Sequence, residues 1–88
     1  MNNRFVERVI KIISERILAN SHSGHIDRDT ALLSSGLSLD SVAVLELVME
    51  VENQFGVVFQ DSDLSIGLFK TVGTLADAIE QKVAAAKS

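Results

Sequence analysis

The sequence predicts an all-α fold, a small four-helix bundle of three longer helices and one short one. Three observations carry this. Apolar residues recur at helical spacing near the N-terminus, between residues 41 and 55, and near the C-terminus. No proline interrupts any of these stretches. At 88 residues and 47% hydrophobic content, the chain supplies one domain, 1–88, with an aliphatic core, although so small a domain buries only a modest share of its surface.

The first helix is expected over about 3–19. Val6, Val9, Ile10, Ile13 and Ile17 recur three and four apart, with Arg4, Glu7, Arg8, Lys11 and Glu15 on the opposite face. Its β-branched residues lower helix propensity, so packing of the apolar face must stabilise it. Asn20-Ser21-His22-Ser23-Gly24 stops it. Residues 20–39 lack periodicity, and a loop this long in a small domain is either functional or pinned by its own apolar residues. Ile26, Leu32, Leu33, Leu37 and Leu39 are the available anchors, and Asp29-Thr30 suits the start of a short helical turn. The second helix starts at Asp40-Ser41 and runs to about Phe55, with Gly56 as its stop. A short third helix is expected over 62–68 with Ser62 as N-cap. The last, about 74–86, opens on Thr74-Leu75-Ala76-Asp77, a capping-box pattern, followed by the stripe Leu75, Ile79, Val83.

Composition excludes several functions. Without Cys there are no disulfides, thiolate metal sites or thiol nucleophiles. The formal charge of −4 argues against nonspecific binding to nucleic acid or anionic membrane. No apolar run approaches the ~18 residues of a membrane span, and the polar N-terminus is unlike a signal peptide, so a soluble, cytoplasmic, single-domain protein is expected. Asp61-Ser62-Asp63-Leu64-Ser65 begins like a calcium loop, but Ile66 stands where glycine is needed and Val72 where the final acid is needed. No metal site is expected. The charge is also segregated: residues 1–28 sum to +2 and residues 70–88 to +1, whereas 29–69 hold seven acids and no basic residue.

The helix at 41–55 is too apolar for a simple surface helix. Val44, Leu47, Val48, Val51 and Phe55 form a core stripe. A second stripe, Val42, Leu45 and Met49, points elsewhere, among Glu46, Glu50 and Glu52. A wide core face and a partner surface with an acidic rim both fit this pattern. Ser41, directly before the second stripe, has no catalytic constellation around it, since the two histidines, His22 and His25, lie in the loop. No catalytic residue is expected. If Ser41 reacts, an external enzyme must supply base and metal, and the helix N-terminus would favour an attached phosphate.

Gly36-Leu37-Ser38-Leu39-Asp40-Ser41-Val42, the acidic helix Leu45-Glu46-Leu47-Val48-Met49-Glu50-Val51-Glu52-Asn53-Gln54-Phe55-Gly56, and Phe69-Lys70-Thr71-Val72-Gly73-Thr74-Leu75-Ala76-Asp77 together resemble the acyl carrier protein family over about residues 30–83. The resemblance implies that Ser41 is the attachment site of a covalent 4′-phosphopantetheine, that Asp40 helps position it, and that the arm's thiol carries acyl groups as thioesters. It implies Val42, Leu45 and Met49 as partner contacts, and Glu46, Glu50 and Glu52 as an acidic recognition face. The implied partners are a phosphopantetheinyl transferase, an acyl-loading enzyme and a ketosynthase or acyltransferase of fatty-acid, lipid or polyketide-type synthesis. Val42 follows the serine where the family usually has leucine, no glycine directly precedes Asp40, and Val57-Val58-Phe59-Gln60 lacks the proline common after the second helix. The basic first helix resembles specialised carriers. A peptidyl or D-alanyl carrier and an unmodified interaction module share the pattern. A small helical DNA-binding domain has only the basic first helix in its favour, since the chain offers no recognition helix that combines a basic face with base-reading residues.

Overall fold

The structure is a computed structural model that describes residues 4–18, 25–33, 39–65 and 67–87. Three α-helices, α1 (Arg4–Ile12), α2 (Ser41–Phe55) and α3 (Val72–Lys87), surround one core. α1 packs on both of the others. The β-type pairing among the described residues is one isolated bridge, Ala31 to Thr71.

α1 buries Val6, Val9 and Ile12, with Phe5 and Ile10 partly covered. Among the described residues it does not run on as a regular helix past Ile12, and the expected end residues 3 and 19 lie outside the described residues. Residues Ile13–Ile17 form a π turn closed by the Leu18 N–H donating to the Ile13 carbonyl at 2.8 Å. The wider turn keeps Ile13 buried while Ile17 and Leu18 pack against the core from its edge. The polar stop at 20–24, with His22, lies outside the described residues.

Of the expected loop anchors, Leu32 and Leu39 are buried, Ile26 and Leu33 are half-buried, and Leu37 lies outside the described residues. The helical turn expected after Asp29-Thr30 is absent. Asp27 Oδ1 instead accepts the Asp29 N–H at 2.9 Å, and Thr30 Oγ1 accepts the Asp27 N–H at 2.9 Å, a side-chain-closed turn that competes with helix.

That turn caps α3. The four N–H groups at a helix start need partners from outside the helix. Here Val72 N–H donates to the Thr30 carbonyl (3.0 Å) and Gly73 N–H to the Arg28 carbonyl (2.8 Å). Thr74 N–H donates to Thr71 Oγ1 (3.1 Å) and Leu75 N–H to the Thr71 carbonyl (3.2 Å). Thr71, not Thr74, is therefore the cap, and the helix starts two residues before the capping-box pattern. The Thr74 hydroxyl is occupied by that of Thr71, 2.9 Å away. Arg28 also pairs with Asp77 at 2.9 Å, and its chain lies so close to Gly73 that a Cβ there would sit 3.0 Å from the Arg28 carbonyl oxygen and 2.9 Å from its Nε. Alanine's better helix propensity recovers up to about 1 kcal/mol, but crowding of this kind costs about 1–3 kcal/mol. Gly73→Ala is expected to lose about 1–2 kcal/mol net, read as a lower urea midpoint.

α2 starts and stops where its sequence says. Asp40 Oδ1 accepts the Ala43 N–H at 2.8 Å, the N-cap bond. Gly56 closes the helix at φ 67°, its N–H donating to the Glu52 carbonyl at 3.0 Å. Leu47 and Val51 are buried, and Val44, Val48 and Phe55 are partly so. Phe55 stacks on Phe5 with ring centroids 5.6 Å apart.

Of the short helix expected over 62–68, the described residues show a single 3-10 turn, Asp61–Asp63, with Ile66 outside the described residues. Asp63 Oδ2 accepts the Gln60 N–H at 2.9 Å, and Ser65 Oγ accepts the Leu68 N–H at 3.3 Å. The first bond is the capping-box bond that starts the 3-10 turn, the second closes the turn that follows, and Leu68 and Phe69 are buried in the core. Before this turn, Val57 and Phe59 alternate inward while Val58 faces solvent.

The turn is tied to α3 by Lys82, whose Nζ lies 2.8 Å from Asp63 Oδ2 and 5.1 Å from the Phe59 ring centroid. The Lys82 bond, with the Gln60 N–H, holds the Asp63 carboxyl below its ordinary value of 3.8. A carboxyl depressed on folding stabilises the protein above its unfolded pKa and loses that contribution as pH falls through the folded one. Urea midpoints of wild type should therefore drop as pH falls below about 4. Lys82→Gln should flatten that acid limb, and equal slopes in the two proteins would refute the coupling.

Candidate functional site

Ser41 is the first residue of α2, and its side chain is exposed. Because Asp40 supplies the cap, the serine hydroxyl is not needed to close the helix. Among the described residues no base is hydrogen-bonded to it. His25 is exposed and lies 3.5 Å from Asp27, and His22 is outside the described residues. No group of three or more metal-ligating side chains occurs among the described residues. What this site offers is an accessible hydroxyl at the positive end of a fifteen-residue helix, suited to holding an anionic group.

The second apolar stripe is on the surface. Val42 is 64% exposed, and Leu45 and Met49 are each 59% exposed. A wide core face is therefore ruled out for these three. Beside them runs an apolar trough of about 410 Å³, which begins at Asp40 and Ser41 and is walled by Leu39, Leu45, Leu64 and Phe69. A second depression, of about 270 Å³, shares Leu45, Leu64 and Phe69 with it and extends along α2 to Met49 and Phe59. The trough lies between α2 and the segment after the 3-10 turn. Sequence reasoning missed Leu64 as its outer wall, because Asp-Ser-Asp-Leu-Ser reads as a helix start. Its one signal was a large apolar residue isolated among polar ones.

The three glutamates of α2 differ. Glu46 is exposed. Glu50 is half-buried, with its Oε2 3.9 Å from Arg16 Nε and accepting from Gln54 Nε2 at 3.3 Å. Glu52 is half-buried, and its Oε2 accepts the Phe59 N–H at 2.8 Å. Its carboxylate holds the 57–60 segment against α2. Val42, Leu45, Glu46 and Met49 thus share one exposed surface beside Ser41, Glu50 borders it, and Glu52 serves the fold.

No helix among the described residues is long and apolar enough to cross a membrane. A family model described as a phosphopantetheine attachment site matches residues 7–79. The chain is similar to an acyl carrier protein of Thermotoga maritima, 34% identical over 76 residues that cover 86% of this chain and 88% of that protein. No solved structure gives a significant match.

Proposed function

The chain belongs to the acyl carrier protein family, whose members carry a covalent 4′-phosphopantetheine, and from that premise we propose that Ser41 is the attachment residue. The observation that carries this reading is an exposed serine hydroxyl at the first position of α2, opening directly onto an apolar trough. The group supplies a terminal thiol on which acyl chains ride as thioesters, a chemistry that a chain without Cys lacks. In attachment the Ser41 oxygen attacks the pyrophosphate phosphorus of coenzyme A that bears the pantetheine, the P–O bond to the nucleotide half breaks, and 3′,5′-adenosine bisphosphate leaves. The Ser41 proton leaves to a base that the phosphopantetheinyl transferase brings together with Mg²⁺. Asp40 fixes the geometry of this serine by fixing the start of the helix, and the helix N-terminus favours the phosphodiester formed there. The trough walled by Leu45, Leu64 and Phe69 gives an acyl chain a place out of water.

Partner enzymes, the transferase included, dock on the α2 surface. Val42, Leu45 and Met49 supply the apolar contact, and Met49 adapts to differently shaped partners. Glu46 and Glu50 attract basic residues, so encounter is steered and weakens with salt. An acyl-loading enzyme and a ketosynthase or acyltransferase of fatty-acid, lipid or polyketide-type synthesis in the cytoplasm complete the set, with the carrier acting as a monomer. The test is an intact-mass measurement. Incubated with coenzyme A, Mg²⁺ and a broad-specificity transferase, the protein should gain one phosphopantetheine, and a chain that stays unmodified would overturn the reading.

A further inference from the structure

Two basic residues of the N-terminal segment, Arg8 and Arg16, reach α2. Arg8 donates from Nη2 to the Gln54 carbonyl at 3.1 Å, and its guanidinium lies 4.1 Å from the Phe55 ring centroid. Arg16 sits in the π turn, with its Nε 3.9 Å from Glu50 Oε2, the oxygen that Gln54 Nε2 also reaches. Arg16 also lines a depression with Glu46, Met49 and Glu50, so it stands at the edge of the surface assigned above to partner docking.

We propose that Arg16 is a specificity-determining residue that acts as an internal competitor: it occupies Glu50 and must be displaced before a partner's cation can pair with that acid. This rests on the docking reading above. An exposed pair of this kind is weak, and that suits the role. A strong pair would remove Glu50 from recognition, whereas a weak one discriminates, because only a partner whose own cation is well placed displaces Arg16. Of two other basic residues of the segment, Arg8 is engaged by the backbone and ring at the far end of α2, and Lys11 has no described contact with Glu50.

The test uses the transferase reaction, with coenzyme A and Mg²⁺, on four variants whose fold is checked by circular dichroism. At low salt, Arg16→Gln should lower KM for the carrier about two- to five-fold with kcat unchanged. Glu50→Gln should raise KM, and the double variant should match Glu50→Gln alone. Lys11→Gln makes the same change in net charge and should have a smaller effect, which separates local competition from long-range steering. At about 0.5 M salt the Arg16→Gln difference should vanish. The competitor role is overturned if Arg16→Gln leaves KM unchanged, acts no more strongly than Lys11→Gln, or still acts in the Glu50→Gln background. If Glu50→Gln raises KM while Arg16→Gln does nothing, only the competitor role falls. If Glu50→Gln itself behaves as wild type, the acidic docking surface is lost and the role of Arg16 with it.

Discussion

Ser41→Ala is expected to gain no phosphopantetheine under conditions that fully convert the wild type. Removing Oγ removes the nucleophile and nothing that holds the fold, because the side chain is exposed and the α2 cap is the Asp40 carboxylate. The variant should therefore keep its helical signal and, from urea unfolding, its stability to within about 0.5 kcal/mol, the usual span for surface changes away from special features. The informative control is Ser65→Ala. Ser65 lines the same trough, but its hydroxyl accepts the Leu68 N–H at 3.3 Å within a turn. It lacks the helix N-terminus, so Ser65→Ala should still be modified. A mass gain that survives in Ser41→Ala and disappears in Ser65→Ala would move the attachment site across the trough.

Leu47→Ala should produce the largest loss of stability. Leu47 is fully buried between α2 and the rest of the core, and truncation of a buried leucine costs about 2–5 kcal/mol. Against the 5–15 kcal/mol typical of whole domains, that is a large fraction, and in a chain of this length a loss of about 3 kcal/mol lowers Tm by roughly 12–24 °C. Met49→Ala, two positions along the same helix, removes a side chain that is 59% exposed and should stay within about 0.5 kcal/mol of wild type while weakening partner turnover. Thermal and urea unfolding of the pair check this, and similar losses in both would mean that the second stripe is packed after all.

The contrast between these two residues marks how far the sequence could be read. Helical spacing put Leu47, Val51, Leu75 and Ile79 in a core because each sits on a stripe whose partners lie on its own helix. Asp40 and Gly56 bounded α2 because capping and left-handed stops are local chemistry. Spacing alone could not say whether Val42, Leu45 and Met49 faced core or solvent. That depends on whether another element covers them, and none among the described residues does. Ile12 was absent from the expected stripe and is buried. Thr71 was missed as a cap because its extended conformation is set by pairing with Ala31, far away in the chain. Glu52 was read with the acidic rim, yet its bond to the Phe59 N–H forms only once the 57–60 segment has folded back. The Arg16 contact with Glu50 joins two elements, and Arg16 sits in a π turn that no residue pattern announced.

The helix start borrowed from Thr30 and Arg28 has a consequence for the order in which the protein assembles. Thr71 can satisfy two of the four leading amides of α3 from its own neighbourhood, but the other two wait for carbonyls about forty residues upstream, and closing that distance costs chain entropy before any bond repays it. The last helix is therefore completed by the first third of the chain and not by itself. On a ribosome this is the workable direction. The accepting turn is already made when α3 is synthesised, so the last helix docks onto carbonyls that wait for it and ties residues 28 and 30 to its own first turn.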